Sequence, residues 1–309
     1  MSEDPRRGIS IVVLTWNKKE VLARCLRSLE ETLGGRPGIE RIVIDNGSSD
    51  GTAELVTERF PGFRVVRIPQ NAGVSAGLNA GFAASSTGSK YVVILNNDLE
   101  FFGDWLEILM APAEKDPSVA VVGCKLLYPD GRIQHAGGDL SPELRTSHIG
   151  RGQTDRGQFD AVSEMPFVTG AVMLLRRSVF ASIGGFDTGY TPYLFEDVDL
   201  FIRARRAGFK IMYTGKTRIL HYEGATVDED ARPSVLAASF RNHLRFAMLN
   251  FSARRTARAF LIVLPRDLVF MLRKGMVPVL LGAWMETLRG SLSILSKRKA
   301  GAARWPLLD

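Results

Sequence analysis

The sequence predicts an α/β chain, built on a doubly wound, mostly parallel sheet with a C-terminal helical appendage. Three observations lead there. Strand-like apolar runs alternate with helical stretches through the first hundred residues, in the β-α-β-α-β-α-β order of a parallel sheet with right-handed crossovers. Tyr91-Val92-Val93-Ile94-Leu95 is an unbroken apolar run, as expected of a strand buried on both faces, and it runs straight into Asn96-Asn97-Asp98. Finally, charge is unevenly placed. Of 40 Lys/Arg and 33 Asp/Glu, 11 and 3 fall from Ser252 onward, which leaves a near-neutral body at residues 1–250 and a basic tail at residues 251–309.

The elements follow in order. Residues 9–14 form an apolar strand, then Thr15-Trp16-Asn17 leads into a helix with apolar positions at Val21, Leu22, Cys25, Leu26 and Leu29. Residues 34–38, glycine-rich, break it. Residues 39–44 make the second strand, ending in Asp45-Asn46-Gly47-Ser48-Ser49-Asp50-Gly51-Thr52, and a helix over residues 53–59 stops at Pro61-Gly62. A third strand covers residues 63–68. Asn71-Ala72-Gly73 opens a helix of small residues, with Asn79 along it, that leads to the strand at 91–95. Beyond it, residues 119–127 form a strand, and 131–152 a polar, glycine-rich excursion containing His135 and His148. Residues 165–175 form a strand interrupted at Gly170, where backbone or ligand comes close. A turn at Gly184-Gly185-Phe186-Asp187, a helix from Glu196-Asp197 to about Ala207, and short strands at 209–213 and 217–221 complete the body.

Several function classes fall away. The turn after the first strand has no glycine-rich dinucleotide fingerprint, and no Walker-type Gly-Lys-Ser/Thr occurs, which argues against a dehydrogenase, a P-loop enzyme and a sugar nucleotidyltransferase. The basic residues sit on the tail rather than on the folded body, so nucleic acid is not an expected partner. Cys25 and Cys124 show neither metal-ligand nor disulfide spacing, and fit a reducing cytoplasm. The polar stretch over residues 1–7 is not followed by an apolar region resembling a signal peptide.

At the C-terminal ends of such strands, where open α/β sheets bind ligands, the chain places carboxylates and amides. Asp98, ending the central strand, is a hard oxygen ligand suited to a divalent cation whose other ligands are waters and phosphate oxygens; a plain turn would use the same residues. Asp45 and Asn46 can hydrogen-bond a pyrimidine edge or simply cap the next helix. Glu196-Asp197 can supply a general base or decorate a helix N-terminus for its dipole.

Taken together, Val13-Leu14-Thr15-Trp16-Asn17, Asp45-Asn46-Gly47-Ser48-Ser49-Asp50-Gly51-Thr52, Asn71-Ala72-Gly73, Asn96-Asn97-Asp98, Phe167-Val168-Thr169-Gly170-Ala171, Gly185-Phe186-Asp187, Glu196-Asp197-Val198-Asp199-Leu200 and His221-Tyr222-Glu223-Gly224 resemble, in order, the family 2 glycosyltransferases of the Rossmann-like GT-A fold. The resemblance covers about residues 8–250 and is nearest to bacterial rhamnosyltransferase-like members. It implies inverting, metal-dependent transfer of one sugar from a nucleotide sugar, dTDP-rhamnose or a UDP-sugar, to a hydroxyl acceptor in cell-surface polysaccharide or glycolipid synthesis. Asp197 would be the base, with Thr169, Gly170 and Glu196 near the acceptor or the transferred sugar. Donor-binding positions would be Thr15, Asn17, Asp45, Asn46, Asn71, Gly73, Asn79 and Asn97, with Arg241 reaching the diphosphate. Asp98 and His221 would hold Mg²⁺ or Mn²⁺; His221 could equally be a satisfied strand-end histidine. Asn96 stands where the family's Asp-x-Asp motif has its first carboxylate, which leaves a one-carboxylate metal site. The Gln-x-x-Arg-Trp motif of processive synthases is absent. A GT-shaped protein that binds nucleotide or partner without turnover is the competing class.

The tail alternates apolar runs with Arg266, Arg273-Lys274 and two prolines, Pro265 and Pro278, and no run approaches the ~20 residues that span a bilayer. Amphipathic helices with basic ends can lie on an anionic membrane, at the inner face of the cell membrane for a cytoplasmic enzyme with a saccharide or polyprenyl-diphosphate-linked acceptor. The alternative is a helical hairpin packed on the body or on a second copy in a homodimer.

Overall fold

The computed structural model describes residues 8–34, 38–222 and 232–308. The polar start of the chain, part of the expected break at 34–38, and Glu223-Gly224 lie outside the described residues. The first half follows the predicted order: β1 (Ile9–Thr15), α1 (Lys19–Leu33), β2 (Ile39–Asp45), α2 (Thr52–Arg59), β3 (Arg64–Arg67), α3 (Val74–Ala84) and β4 (Tyr91–Asn96). Strands β4, β1, β2 and β3 lie side by side in parallel. Alternate residues of the same strands feed two cores: Val12, Ile44 and Ile94 on one face, Val13, Val43 and Leu95 on the other. That is why these strands are apolar without interruption. Helix α3 is made of small residues because it lies against the sheet. A Cβ on Gly77 would stand 2.6 Å from the Leu14 side chain, and one on Gly81 2.5 Å from that of Val12.

The second half is β5 (Leu99–Phe102), α4 (Trp105–Lys115), β6 (Val119–Cys124), β7 (Leu126–Leu127), β8 (Ile133–His135), β9 (Gly138–Leu140), β10 (Thr146–His148), β11 (Ser163–Glu164), β12 (Val172–Arg176), α5 (Arg177–Ile183), α6 (Glu196–Arg206), β13 (Lys210–Thr214) and β14 (Arg218–His221). The main sheet has eight strands in the order β11-β13-β6-β12-β4-β1-β2-β3, with β12 antiparallel to both neighbours. A second sheet, β5-β14-β7-β8, sits past the end of β4.

Two predicted strands are corrected. The run 119–127 divides at Lys125, whose buried ammonium is paired with Asp155 at 2.9 Å and Asp160 at 2.5 Å while its N–H donates to Thr214 O. The chain thereby passes from the first sheet to the second. The run 165–175 is regular strand only from Val172; the stretch before it contacts β9 through the Gly138–Phe167 bridge, and Val168 packs where a Cβ on Gly123 would fall, 2.4 Å away.

The C-terminal helices α7 (Arg232–Asn250), α8 (Ala253–Arg273), α9 (Val277–Arg289) and α10 (Ser291–Arg304) pack on the sheet domain rather than standing apart. Phe246, Phe251, Phe260, Val263 and Ile294 join the same core as β1 and β4. Arg206, nearly buried at the end of α6, donates to Trp305 O and Pro306 O at 2.8 Å each and to Asn250 Oδ1 at 3.2 Å; Asn250 Nδ2 in turn donates to Asp199 Oδ1 at 2.7 Å. Arg203 donates to Asp199 Oδ2 at 2.8 Å, the structural i,i+4 pair the sequence predicts. Among the described residues no helix is long and apolar enough to cross a membrane.

Candidate active site

Strands β1, β2 and β4 are parallel and end together, so their polar C-terminal residues form one edge. Thr15 Oγ1 accepts from Asn97 Nδ2 at 2.8 Å, tying β1 to β4. Asn17, in the left-handed region at φ 55°, accepts from Ser49 N at 2.9 Å, and its own N–H donates to Ser48 Oγ. The two loops are thus laced together. Asp45 is fully buried. Its Oδ1 accepts from Ser48 N at 2.8 Å, whereas Oδ2 makes no hydrogen bond, with Arg67 Nε 3.7 Å away. A buried carboxylate oxygen without a donor is costly, and a base N–H would satisfy it. Asn46 uses its whole amide on the next loop, donating to Asn71 Oδ1 and Gly73 O at 3.2 Å each and accepting from Ala72 N. Asn71 also accepts from Gly73 N, which stands at φ 83°.

Asp98 and His221 lie side by side. His221 Nε2 is 3.1 Å from Asp98 Oδ1, and both residues are buried. Gln134 Oε1 lies 2.7 Å from His221 Nδ1 and fixes the ring so that Nε2 faces the carboxylate. Two adjacent ligands of an octahedral ion with bonds of about 2.1 Å stand about 3.0 Å apart, so this nitrogen and oxygen fit one hard cation. Among the described residues no third His, Cys, Asp or Glu joins them, and a cation there would draw its remaining ligands from water or substrate oxygens.

The second acidic centre opens α6. Glu196 and Asp197 are adjacent and line a cavity of about 360 Å³ together with Thr169, Phe167, His148, Arg145, His243 and Asp267. Burial, then the neighbouring carboxylate, pushes Glu196 up to about 8, and its Oε2 has no partner. Burial also raises Asp197, but backbone N–H groups oppose the rise: Val198 N donates to Oδ1 at 2.7 Å and Gly170 adds a second bond. Two carboxylates this close do not both ionise freely near neutral pH. Backbone N–H groups oppose the rise at Glu196 as well, yet burial and the Asp197 charge still raise it, so Glu196 is the carboxyl of the pair that favours a proton. Gly170 touches the pair so closely that a Cβ there would stand 2.7 Å from Asp197 Oδ2, which accounts for the glycine inside an otherwise strand-like run.

A buried, metal-capable carboxylate at the sheet edge and a separate half-buried carboxylate in a cavity are parts that a sugar transfer from a nucleoside diphosphate can use. Residues 10–184 match the family described as Glycosyl transferase family 2, more than half of the chain. The chain belongs to glycosyl transferase family 2. Residues 154–224 of this family 2 chain also match a segment described as the N-terminal domain of galactosyltransferase. The O-antigen biosynthesis protein RfbC of Myxococcus xanthus is 30% identical over 242 residues, 74% of this chain and 18% of that protein. N-acetylglucosaminyl-diphospho-decaprenol L-rhamnosyltransferase of Mycobacterium tuberculosis is 27% identical over 72% of this chain and 78% of its own length. The chain spans only 18% and 27% of the first two curated relatives it matches. GalNAc-T7, solved with UDP, GalNAc and Mn²⁺, superposes with a TM-score of 0.64 at 16% identity, over 81% of this chain and 49% of that one, and supports the GT-A fold.

Not every predicted residue of this family 2 chain gathers at the edge. Asn79 clamps α3 to the Gly185-Phe186 turn, donating to Phe186 O at 2.9 Å and accepting from Phe186 N at 3.0 Å. Arg241 spans the Thr191 carbonyl and Glu286 of α9, at 2.9 Å from the latter, so its guanidinium is engaged by protein. His135, a candidate base by residue type, is buried behind His148 with Nδ1 atoms 2.8 Å apart, and burial holds it well below its ordinary value. Gln134, Arg145, His243 and Asp267 were not legible as site residues. None of them sits in a motif that marks it as a site residue, and only the tertiary fold brings them in.

Proposed function

We propose that the chain transfers a single sugar, with inversion and with a divalent cation, from a nucleotide sugar, dTDP-rhamnose or a UDP-sugar, to a hydroxyl of a saccharide or polyprenyl-diphosphate-linked acceptor in cell-surface polysaccharide or glycolipid synthesis. The observation that carries this reading is the pairing of Asp98–His221 at the end of β4 with the half-buried, backbone-supported Asp197 at the start of α6. Thr15, Asn17, Asp45 and Asn97 would receive the nucleoside, with Asn46, Asn71 and Gly73 shaping that wall and Asn79 bracing it. Asp98 and His221 would hold Mg²⁺ or Mn²⁺, whose positive charge stabilises the departing diphosphate. Arg241 would add charge there on releasing Glu286.

Asp197 takes the proton of the acceptor hydroxyl as the acceptor oxygen bonds to the anomeric carbon. On the opposite face the bond from that carbon to the diphosphate oxygen breaks, so the configuration inverts. Thr169 and Gly170 hold Asp197 and the sugar in register, and Glu196, protonated, is a donor rather than a second base. We further propose a transferase unit at residues 1–250 and a basic helical unit from 251 that lies on the inner face of the cell membrane. Supporting the latter are Leu261, Leu272, Leu288 and Leu292, all more than half exposed beside tail arginines and lysines. Release of nucleoside diphosphate over a panel of dTDP- and UDP-sugars, with and without Mn²⁺, tests the reading. Metal-dependent release with one donor is expected, and no release with any donor under any metal would overturn it.

A further inference from the structure

The cavity beside Asp197 is more informative about its occupant than the fold alone. Its walls come from four parts of the chain: Glu196 and Asp197 from α6, His243 from α7, and an ion pair between Arg145, just before β10, and Asp267 of α8. We propose that this cavity is the subsite for a neutral, hydroxyl-rich acceptor sugar, and that Arg145 and Asp267 are its specificity-determining pair. This rests on the transferase reading above and names the ligand class of the same site.

The argument is one of charge and hydrogen-bond type. Three carboxylates and one guanidinium line the space. Asp267 is 6% exposed and takes its charge partner from Arg145, so that pair is neutral as a unit. His243 adds no positive charge, because burial lowers it to about 4. Its ring is stacked on Phe195 at 5.4 Å and bonded to the backbone of Leu144 and Glu143, which fixes it in place. Among the permanently charged side chains of the wall, Arg145 is the single cation and is already paired with Asp267, so the charged group of a phosphate or a uronate, which offers acceptors only, would meet carboxylates without a free guanidinium. Sugar hydroxyls match the walls instead. Each can donate to a carboxylate or a ring nitrogen and accept from a guanidinium. Glu196 Oε2 and His243 Nε2 are both buried and without a partner in the protein, as expected of walls completed by a ligand or its hydration. It follows that the tail is part of the acceptor site, since α8 supplies Asp267.

The test uses the full chain with UDP or dTDP and Mn²⁺. Neutral para-nitrophenyl glycosides (glucoside, galactoside, N-acetylglucosaminide, rhamnoside) are compared by saturation-transfer NMR with para-nitrophenyl glucuronide and glucose 6-phosphate. We expect at least one neutral glycoside to bind and the two anions to bind at least about tenfold more weakly. Asp267→Asn and Arg145→Gln should each weaken the neutral ligand by about ten- to a hundredfold, the loss of a charge-assisted hydrogen bond. Affinity for the nucleoside diphosphate should stay within about twofold. The proposal is overturned if an anion binds as well as the best neutral glycoside, if no neutral glycoside binds, or if folded variants bind it like the parent. Should the variants fail to fold, the neutral–anion comparison on the parent decides alone. Failure of the transferase reading would appear elsewhere, as no metal-dependent binding of UDP or dTDP by calorimetry.

Discussion

Replacing Gly170 by Ala is a sharp probe of Asp197 as the proposed base, because the perturbation is confined to one methyl. The backbone N–H that supports Asp197 remains. The new Cβ would stand 2.7 Å from Asp197 Oδ2 and 3.2 Å from its Cβ and Cγ, so the carboxylate must withdraw by about 0.7 Å to regain ordinary contact. Misplacing a reacting group by about 1 Å can cost 10²-fold in rate. We expect kcat to fall by about ten- to a hundredfold, with nucleoside diphosphate affinity unchanged because the proposed donor edge lies on β1, β2 and β4. Steady-state release of nucleoside diphosphate and calorimetry with UDP or dTDP separate the two quantities. The effect should vanish in a background already lacking the base: Gly170→Ala added to Asp197→Asn should cost almost nothing more. Equal losses in both backgrounds, or parental kcat in the single variant, would refute the claim that Gly170 acts through Asp197.

Other expectations follow from the same geometry. Asp197→Asn should lower kcat by about 10²–10⁴-fold, with donor affinity retained, and Glu196→Gln should be much milder in steady-state rates. Asp98→Ala should abolish the metal-dependent part of donor binding, and Gln134→Ala should weaken Mn²⁺ affinity by about 10- to 100-fold, both read by calorimetry with and without chelator. Glu196 holds its proton in the folded chain up to about pH 8 but would lose it near 4.5 when unfolded, so its contribution to stability is present below that range. It is lost as pH rises through the window, at up to about 1.4 kcal/mol per pH unit, and Glu196→Gln should flatten the fall in melting temperature. Leu261→Ser with Leu272→Ser should release the full chain from anionic vesicles in a pelleting assay at low salt; a parent that stays in the supernatant would remove the membrane reading. Truncation near Ser252 is a poor substitute, because Phe260, Val263 and Ile294 belong to the core.

Much of this was legible in the sequence because it is local. The run from Tyr91 to Leu95 is apolar on both faces, so the strand and its polar edge at Asn96-Asn97-Asp98 could be read directly, and Asp197 stood out as an acid opening a helix. The stretch at 165–175 was harder. Its apolar residues are buried, but Phe167 and Val168 pack across strands rather than pairing along one, and composition alone does not separate those cases. Lys125 lies inside an apolar run, and its break in the strand depends on Asp155 and Asp160, some thirty residues downstream. The acceptor walls were hidden for the same reason. Arg145 and Asp267 are 122 residues apart, and neither sits in a pattern that distinguishes it from a surface charge.

The clasp at Arg206 also has a consequence for how the chain matures. The guanidinium closes the helix that carries Asp197 in its first turn, yet the carbonyls it needs, at Trp305 and Pro306, are 99 and 100 residues further on. During synthesis the sheet can assemble from its N-terminal strands as they emerge, but α6 holds a buried cation without its full set of acceptors until that later segment arrives. Ribosome-bound nascent chains should therefore show a formed sheet well before a competent base, and the competence should appear in one step.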